Sequence, residues 1–531
     1  MTPEKTEERW LLAGQSNMEG MGDLAEGPVP DPRVRAFTLA RRWESPAREP
    51  LHWLAESPDV VHHGGRPQGP EESRTAKATA VKGVGPGLWF AQDRAEATGR
   101  PQALVCAAHG GTSLSQWLPQ PGAPGGTTLY DSMLESVRQA GGPVTGVLWY
   151  QGCNDATPDE AACYAQRMKA LVESTRRDLG QPDLPWVVVQ IGRTVGRVED
   201  QVSWNAVQEA QRRLPDQISH LEVVAAVDLE LDDWIHLSSR GHRRLAKRLN
   251  LAVRHLVDAD PAVPRTPTPV AARWETSDPA GGAVRIQFAQ VSQGWTPGEL
   301  PRGFSLVDSQ GRDLLAVCRT RIEGTEVVLR TTTDELGGAT VAYAQGCDPA
   351  ANLVDGLDRA LPAFRGLVID RLPPVTGWFR SWEVCPLPDR GTLAGLEVPP
   401  HRAPGWVSRV NTGWWYLVLS DLWDRGAVAG RARFRCAEAM DLEVRAGNDV
   451  PMRLFLDGRE LVSEDTEDRL TGTNIAFEHH RVPVSVAEGT HEVTFLARKR
   501  QAGGLGLDLR LARIDASGPL PDLGTGPHPF G

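Results

Sequence analysis

Three groups of residues carry side chains suited to chemistry. Gly14-Gln15-Ser16-Asn17-Met18 follows the apolar run Trp10-Leu-Leu-Ala, which sets Ser16 at the carboxyl end of a strand, where open α/β sheets place their active sites. The same serine would also serve as a helix cap. Asp233-Trp-Ile-His236 lies further along, ahead of a helical stretch from Ser239 to Leu249. The three-residue offset can bring both side chains onto one turn, although alone it fits an ordinary surface histidine equally well. Taken with Ser16 it supplies a carboxylate, an imidazole and a hydroxyl, the set needed to activate a nucleophile and return its proton to a leaving alcohol. Asp228 and Asp232 are alternative carboxylates, but neither has that offset to His236.

Between serine and histidine fall His109-Gly110-Gly111-Thr112 and Gln151-Gly152-Cys153-Asn154-Asp155, each after an apolar run. Acyl transfer passes through an oxyanion that needs convergent donors; glycine lets a backbone N–H come close and asparagine offers a side-chain N–H. The Ser16 N–H, a Gly110 or Gly111 N–H and the Asn154 amide are the expected donors. Each glycine taken singly also reads as a plain strand-to-helix turn. Gln15, Gln151, His52, Trp53 and Trp117 are candidate substrate contacts. Tryptophan is abundant, with 17 residues against five tyrosines, and indoles stack on sugar CH faces, with core filling as the competing use. Gly83-Val-Gly-Pro-Gly lacks the Lys-Ser/Thr of a phosphate loop and reads as a turn before a helix. The pairs His62-His63 and His479-His480 lack further ligands, and the seven cysteines are scattered without a CxxC pair. No metal or organic cofactor is expected, and the thiols read as free.

These residues need a scaffold, and up to about residue 258 the chain alternates buried-strand runs (Ala103-Leu-Val-Cys-Ala-Ala, Val144-Thr-Gly-Val-Leu-Trp-Tyr, Pro185-Trp-Val-Val-Val-Gln-Ile, Leu221-Glu-Val-Val-Ala-Ala-Val) with helical patterns at Ala161 to Leu179 and Val202 to Leu214. The expected fold is a three-layer α/β domain over residues 1–258. A proline-rich linker (Asp260-Pro-Ala-Val-Pro-Arg-Thr-Pro-Thr-Pro) then precedes period-two patterns such as Ala283-Val-Arg-Ile-Gln-Phe, an all-β domain over 265–372. After Leu372-Pro-Pro-Val a third, β-sandwich domain is expected over 376–531, with Trp414-Trp415 as its aromatic pair to test. A formal net charge of -11 among 531 residues disfavours nucleic acid as a partner, and no apolar run reaches the ~18 residues of a membrane span. The first residues lack the apolar run of a signal peptide, so the expected compartment is the cytoplasm; a chain relieved of a leader would be secreted or periplasmic.

Gly14-Gln-Ser-Asn-Met, Gly110-Gly-Thr, Trp149-Tyr-Gln-Gly-x-Asn-Asp and Asp233-x-x-His resemble, in order, the blocks of the SGNH (GDSL-like) hydrolase superfamily, and within it the sialate O-acetylesterase and acetyl-xylan esterase branch. Pro50-Leu-His, Gly83-Val-Gly-Pro-Gly-Leu-Trp-Phe-Ala and Trp204-Asn-Ala-Val-Gln-Glu-Ala-Gln add to the likeness. Gly303-Phe-Ser-Leu-Val-Asp, Val341-Ala-Tyr-Ala, Asn352-Leu and Leu361-Pro-Ala-Phe-Arg are similar to the β-domain that follows in sialate O-acetylesterases. The resemblance implies a flavodoxin-like catalytic fold, then Ig-like and jelly-roll-like β-domains. It also implies Ser16 as nucleophile, His236 as general base and then acid, Asp233 orienting it, and an acetylated oligo- or polysaccharide as substrate. One departure stands out: relatives commonly read Gln-Gly-Glu where this chain has Gln151-Gly152-Cys153. Its bearing on the oxyanion site leaves two other readings open, a non-catalytic carbohydrate-binding protein on an esterase scaffold and an esterase of another acyl group.

Overall fold

The computed structural model describes residues 6–63, 82–196, 200–278, 281–297, 300–332, 336, 338–370, 376–379, 381–388, 392–410, 417–418, 426–448, 450–465, 480–498 and 506–514. Trp414-Trp415 and His479 lie outside them.

The apolar runs of the first 258 residues become buried strands. β1 (Glu8–Gly14), β2 (Val34–Phe37), β3 (Trp43–Glu44), β4 (Gln102–Cys106), β5 (Gly146–Tyr150), β6 (Trp186–Gln190) and β7 (Leu221–Ala225) form one sheet in the order β3-β2-β4-β1-β5-β6-β7. Every pairing is parallel except the edge pair of β2 and β3. Every residue of β4 to β7 is buried, the continuous apolar pattern of strands covered on both faces. Trp10 of β1 packs edge-on against Phe90 of α2 (Gly87–Thr98), 5.1 Å between ring centres. Trp149, on the opposite face by register with Ala13, packs against Trp117 at 5.3 Å. Helix α2 lies with α6 (Ser239–Leu256) on the first face, and α4 (Pro158–Asp178) with α5 (Gln201–Arg212) on the second.

Both of the latter helices start earlier than their hydrophobic periodicity, and the reason is their caps. Pro158 occupies the first turn of α4, and the Asp200 carboxylate accepts the Val202 and Ser203 N–H groups that open α5. The glycine-rich run from Gly83 is a short strand, Lys82–Val84, turning into α2.

By their contacts the residues fall into two units. One comprises Met1–Arg273, Val284–Thr331 and Ala339–Asp370. Beyond the α/β layers it carries a mixed seven-stranded sheet built from strands between Thr268 and Asp370. Buried polar contacts seat this sheet on the α/β layers: Arg248 of α6 clasps Asp228 and the Asp358 carbonyl, and the Gln190 amide exchanges hydrogen bonds with the Ala363 backbone. Asp228 is therefore committed to Arg248 and Arg244.

The other unit comprises Trp274–Ala283, Thr332–Gly338 and Arg371–Gly531. Its six-stranded and five-stranded sheets contribute to one core, where Trp382, Val428 and Phe495 of the first meet Leu442, Val484 and Leu511 of the second. All seven cysteines are free. No described helix is long and apolar enough to cross a membrane.

The end of β1 is the most constrained point of the sheet. Gly14 has φ +127°, and a Cβ there would stand 2.3 Å from the Tyr150 carbonyl oxygen. The Gln15 N–H bonds to that same oxygen at 2.8 Å, so the turn into Ser16 presses directly on β5. Gly14→Ala should lower stability by about 2 kcal/mol or more, adding backbone strain to a steric clash. Thermal unfolding of the variant beside the parent checks this.

Candidate active site

Strands β4, β1 and β5 are neighbours in the middle of the sheet, and the turns after them carry His109-Gly110-Gly111, Ser16 and Asn154. After β1 the chain fills one side of the sheet through β2 and β4, then crosses to β5. This is the topological switch point at which the carboxyl ends of parallel strands open a crevice. Ser16 opens α1 (Ser16–Glu19).

Its Oγ lies 3.0 Å from His236 Nε2, and His236 Nδ1 lies 2.8 Å from Asp233 Oδ2. The other Asp233 oxygen accepts the N–H groups of Ile235 and His236 at 2.9 and 2.8 Å. Burial alone would raise the Asp233 pKa; the two backbone N–H groups and the imidazole outweigh it and hold the carboxyl at about 2. Asp233 thus stays ionised beside the ring, and its stabilising charge is lost only as pH falls from the ordinary 3.8 through about 2. The chain from hydroxyl to imidazole to carboxylate can remove a proton from Ser16 and hold the cation that forms.

Two side chains flanking Ser16 fix its surroundings. Gln15 is buried; its Oε1 accepts the Gly152 and Cys153 N–H groups at 2.9 and 3.0 Å, and its Nε2 donates to Asn154 Oδ1 at 2.9 Å. That leaves the Asn154 NH2 as the end of the amide with no protein partner among the described residues. Asn17, also buried, donates to the Ile235 carbonyl at 3.2 Å and accepts the Leu237 N–H at 2.9 Å. It clamps the backbone on both sides of His236.

The glycine turn is held from two directions. Asp155 accepts the Leu114 N–H with both oxygens and is bonded by the Gln151 amide, which also donates to the Thr112 carbonyl at 3.0 Å. Burial pushes Asp155 up to about 6. On the other side the Gly110 N–H donates to Glu19 Oε2 at 2.7 Å. Gly110 sits against the serine, its Cβ position 3.4 Å from Ser16 Cβ.

Of the expected oxyanion donors, the structure therefore removes the Gly110 N–H, which Glu19 already occupies. It leaves the Gly111 N–H, on an exposed residue at φ +71°, and the Ser16 N–H, neither with an acceptor among the described residues.

A sequence model described as "Carbohydrate esterase, sialic acid-specific acetylesterase" matches residues 6–255. A probable carbohydrate esterase of Arabidopsis thaliana is 30% identical over 270 residues, 46% of this chain and 89% of the relative. The chain belongs to this family of carbohydrate esterases. A solved structure of a carbohydrate acetylesterase from Xanthomonas citri shares the fold at 22% identity, with a TM-score of 0.52 over 68% of this esterase and 80% of that chain.

Several candidate substrate contacts of the esterase are corrected. Gln15 and Gln151 are buried, with their amides engaged in holding turns. His52 is buried with Nδ1 on the Glu19 carbonyl at 3.2 Å, where it anchors the end of α1. Trp117 is fully buried, its Nε1–H donated to Thr112 Oγ1. Trp53 stays partly exposed. The Cys153 backbone N–H is bonded to Gln15 Oε1, as is that of Gly152, so Gln15 holds the turn after β5.

Sequence reasoning missed Asn17, Glu19 and Asp155 as supports of the site. The signal available was their position one to three residues from residues already singled out. His62, which the sequence left without a role, meets His109, and among the described residues no three His, Cys, Asp or Glu side chains gather to hold a metal ion.

Asn17→Ala leaves the buried Leu237 N–H unpaired, which should cost about 1–3 kcal/mol. Loosening His236 should also lower kcat/KM roughly tenfold or more; acetate release and thermal unfolding measure the two effects. Glu19 gives a pH signature. Burial, only partly offset by the Gly110 N–H, pushes its carboxyl from 4.5 up to about 7. The fold favours the neutral form, so stability drains away as pH rises from about 4.5 to beyond 7. Glu19→Gln, which keeps an acceptor for Gly110, should match the parent near pH 4 and unfold at a higher temperature than the parent near pH 8.

Proposed function

We propose that this carbohydrate esterase removes acetyl groups from sugars by a serine mechanism, and the continuous chain from Ser16 Oγ through His236 to Asp233 is the observation that carries the reading. His236 Nε2 takes the Ser16 proton as Oγ attacks the acetyl carbonyl. The oxyanion forms against the Ser16 and Gly111 N–H groups and the Asn154 NH2. As the intermediate collapses, His236 gives the proton to the departing sugar oxygen. Water, deprotonated by the same ring, then releases acetate from the acetyl-serine and restores the hydroxyl. Asp233 keeps the ring in the tautomer that presents Nε2 to Ser16 and stabilises the imidazolium in between.

The substrate is an acetylated oligo- or polysaccharide of the kind acted on by sialate O-acetylesterases or acetyl-xylan esterases. Residues 1–258 form the catalytic domain, 265–372 the β-domain of sialate O-acetylesterases, and 376–531 a β-sandwich or jelly-roll domain for carbohydrate. The departure at Cys153, which favoured a non-catalytic binding protein, loses its force because backbone contacts hold that turn.

Ser16→Ala and His236→Ala should each lower acetate release from acetylated xylan and sialosides by about a thousandfold or more, with the fold retained by circular dichroism. A fluorophosphonate probe should label the parent and not Ser16→Ala. Turnover at the parental rate in either variant would sink the mechanism.

A further inference from the structure

A second polar chain ends at His109, the residue before the glycine that abuts Ser16, and the mechanism above makes no use of it. Arg41 pairs with Asp59, and the Ser132 Oγ–H donates to Asp59 Oδ2 at 2.5 Å. Ser132 Oγ lies 3.0 Å from His62 Nε2, and His62 Nδ1 lies 3.0 Å from His109 Nδ1. The two rings stack with centres 5.0 Å apart and planes inclined by 22°. Asp59 and His62 belong to one turn and Ser132 to a helix distant in sequence, and His109 directly precedes the Gly110 that abuts Ser16.

Counting protons along the chain fixes each tautomer. Asp59, ion-paired with Arg41, only accepts, so the single Ser132 hydroxyl proton points to it and Ser132 Oγ must accept from His62 Nε2–H. His62 is buried, and burial, reinforced by His109 and Arg41 and opposed by Asp59, pushes it down to about 3, so it is neutral with a bare Nδ1. The contact between the two Nδ1 atoms then requires the proton to sit on His109. Burial lowers His109 as well, so this ring is also neutral and its Nε2 is a bare acceptor. His109 is half-buried, and no protein group pairs with Nε2 among the described residues.

We infer that His109 Nε2 is a specificity contact of the esterase, held by Asp59, Ser132 and His62 as an obligate hydrogen-bond acceptor for a free hydroxyl of the sugar next to the acetylated position. The inference rests on the esterase reading of Ser16. An acceptor-only nitrogen one residue from the glycine against the nucleophile receives a hydroxyl proton, and it meets a methyl ether, a deoxy carbon or a second acetyl with nothing to bond. The site therefore favours rings whose neighbouring hydroxyl is free.

Two measurements decide it. With 15N-histidine-labelled enzyme, two-bond proton–nitrogen spectra at neutral pH, assigned with His109→Gln, should show His109 protonated on Nδ1, and Ser132→Ala should shift that population toward Nε2. In kinetics, the parent should prefer a singly acetylated glycoside over its neighbouring O-methyl analogue by about tenfold in kcat/KM, the scale of one neutral hydrogen bond. In both His109→Ala and His109→Gln that ratio should fall toward one. An Nε2–H tautomer in the parent, or a substrate ratio unaltered in both variants, overturns the inference. Turnover of p-nitrophenyl acetate by the parent and its loss in Ser16→Ala report on Ser16; absence of turnover in the parent would overturn the esterase reading, while the tautomer spectra would still test the chain of protons.

Discussion

Buried amides must be fully paired, and the residues on either side of Ser16 meet this demand by tying together strands that are distant in sequence. Gln15 spends both ends of its amide on the turn after β5, and Asn17 spends both ends of its amide on the backbone around His236. Loss of either set strands donors and acceptors in a dry interior, at a cost comparable to a large part of a domain's net stability. The position of the serine is thus not set by α1, which has only four residues. It is set by hydrogen bonds running outward from its two neighbours. The same contacts that hold the fold shut hold nucleophile, base and the Asn154 amide in register.

This arrangement works because β1 is the central strand at the point where the chain reverses its direction across the sheet. Strands β4 and β5 flank it in parallel register, so their following turns emerge at the same edge as Ser16. Gly14 lets the chain turn against the Tyr150 carbonyl with no side chain between. Carboxylates then steady the turns from behind. Asp155 and Glu19 take backbone N–H groups of the 110–114 loop, and both are driven toward neutrality by burial. The fold accepts that electrostatic cost in exchange for a loop that cannot rotate its Gly110 peptide freely.

Much of this was legible in the sequence because the decisive patterns are local. Uninterrupted apolar runs gave β4 to β7 to within two or three residues, and Asp233 and His236 were close enough in sequence for a shared turn to be inferred. Where the reading failed, the missing information was three-dimensional. Gly110 looked as good an oxyanion donor as Gly111 until Glu19, 91 positions away in sequence, was found on its N–H. His62 and His63 were adjacent in sequence with no further ligands near them, and neither was given a role. In the fold His62 reaches His109 and Ser132 while His63 bonds the Ser57 carbonyl. Strands such as Met440–Asn448 and His480–Val486 were missed although their apolar residues alternate with polar ones, as half-buried strands do.

The tryptophans show most clearly why substrate recognition resisted a sequence reading. Core filling was the default reading for the abundant indoles, with a sugar platform as the alternative for Trp117, and Trp10, Trp117, Trp149, Trp186 and Trp204 are all fully buried. They fill the two faces of the sheet, where wide rings bridge strand and helix and where Nε1–H groups such as those of Trp117 and Trp204 find acceptors. The exposed indole near the chemistry is Trp234, 38% exposed and edge-on to His236 at 6.3 Å. With those five indoles committed to the core, polar groups at the strand ends are left as candidates to discriminate between sugars. Those groups discriminate only if their protons are fixed in advance, because a rotating hydroxyl or an unconstrained imidazole accepts donors and acceptors alike. On the reading proposed for His109, the partly buried Arg41–Asp59 pair at the far end of its hydrogen-bonded chain supplies that constraint without touching the ligand.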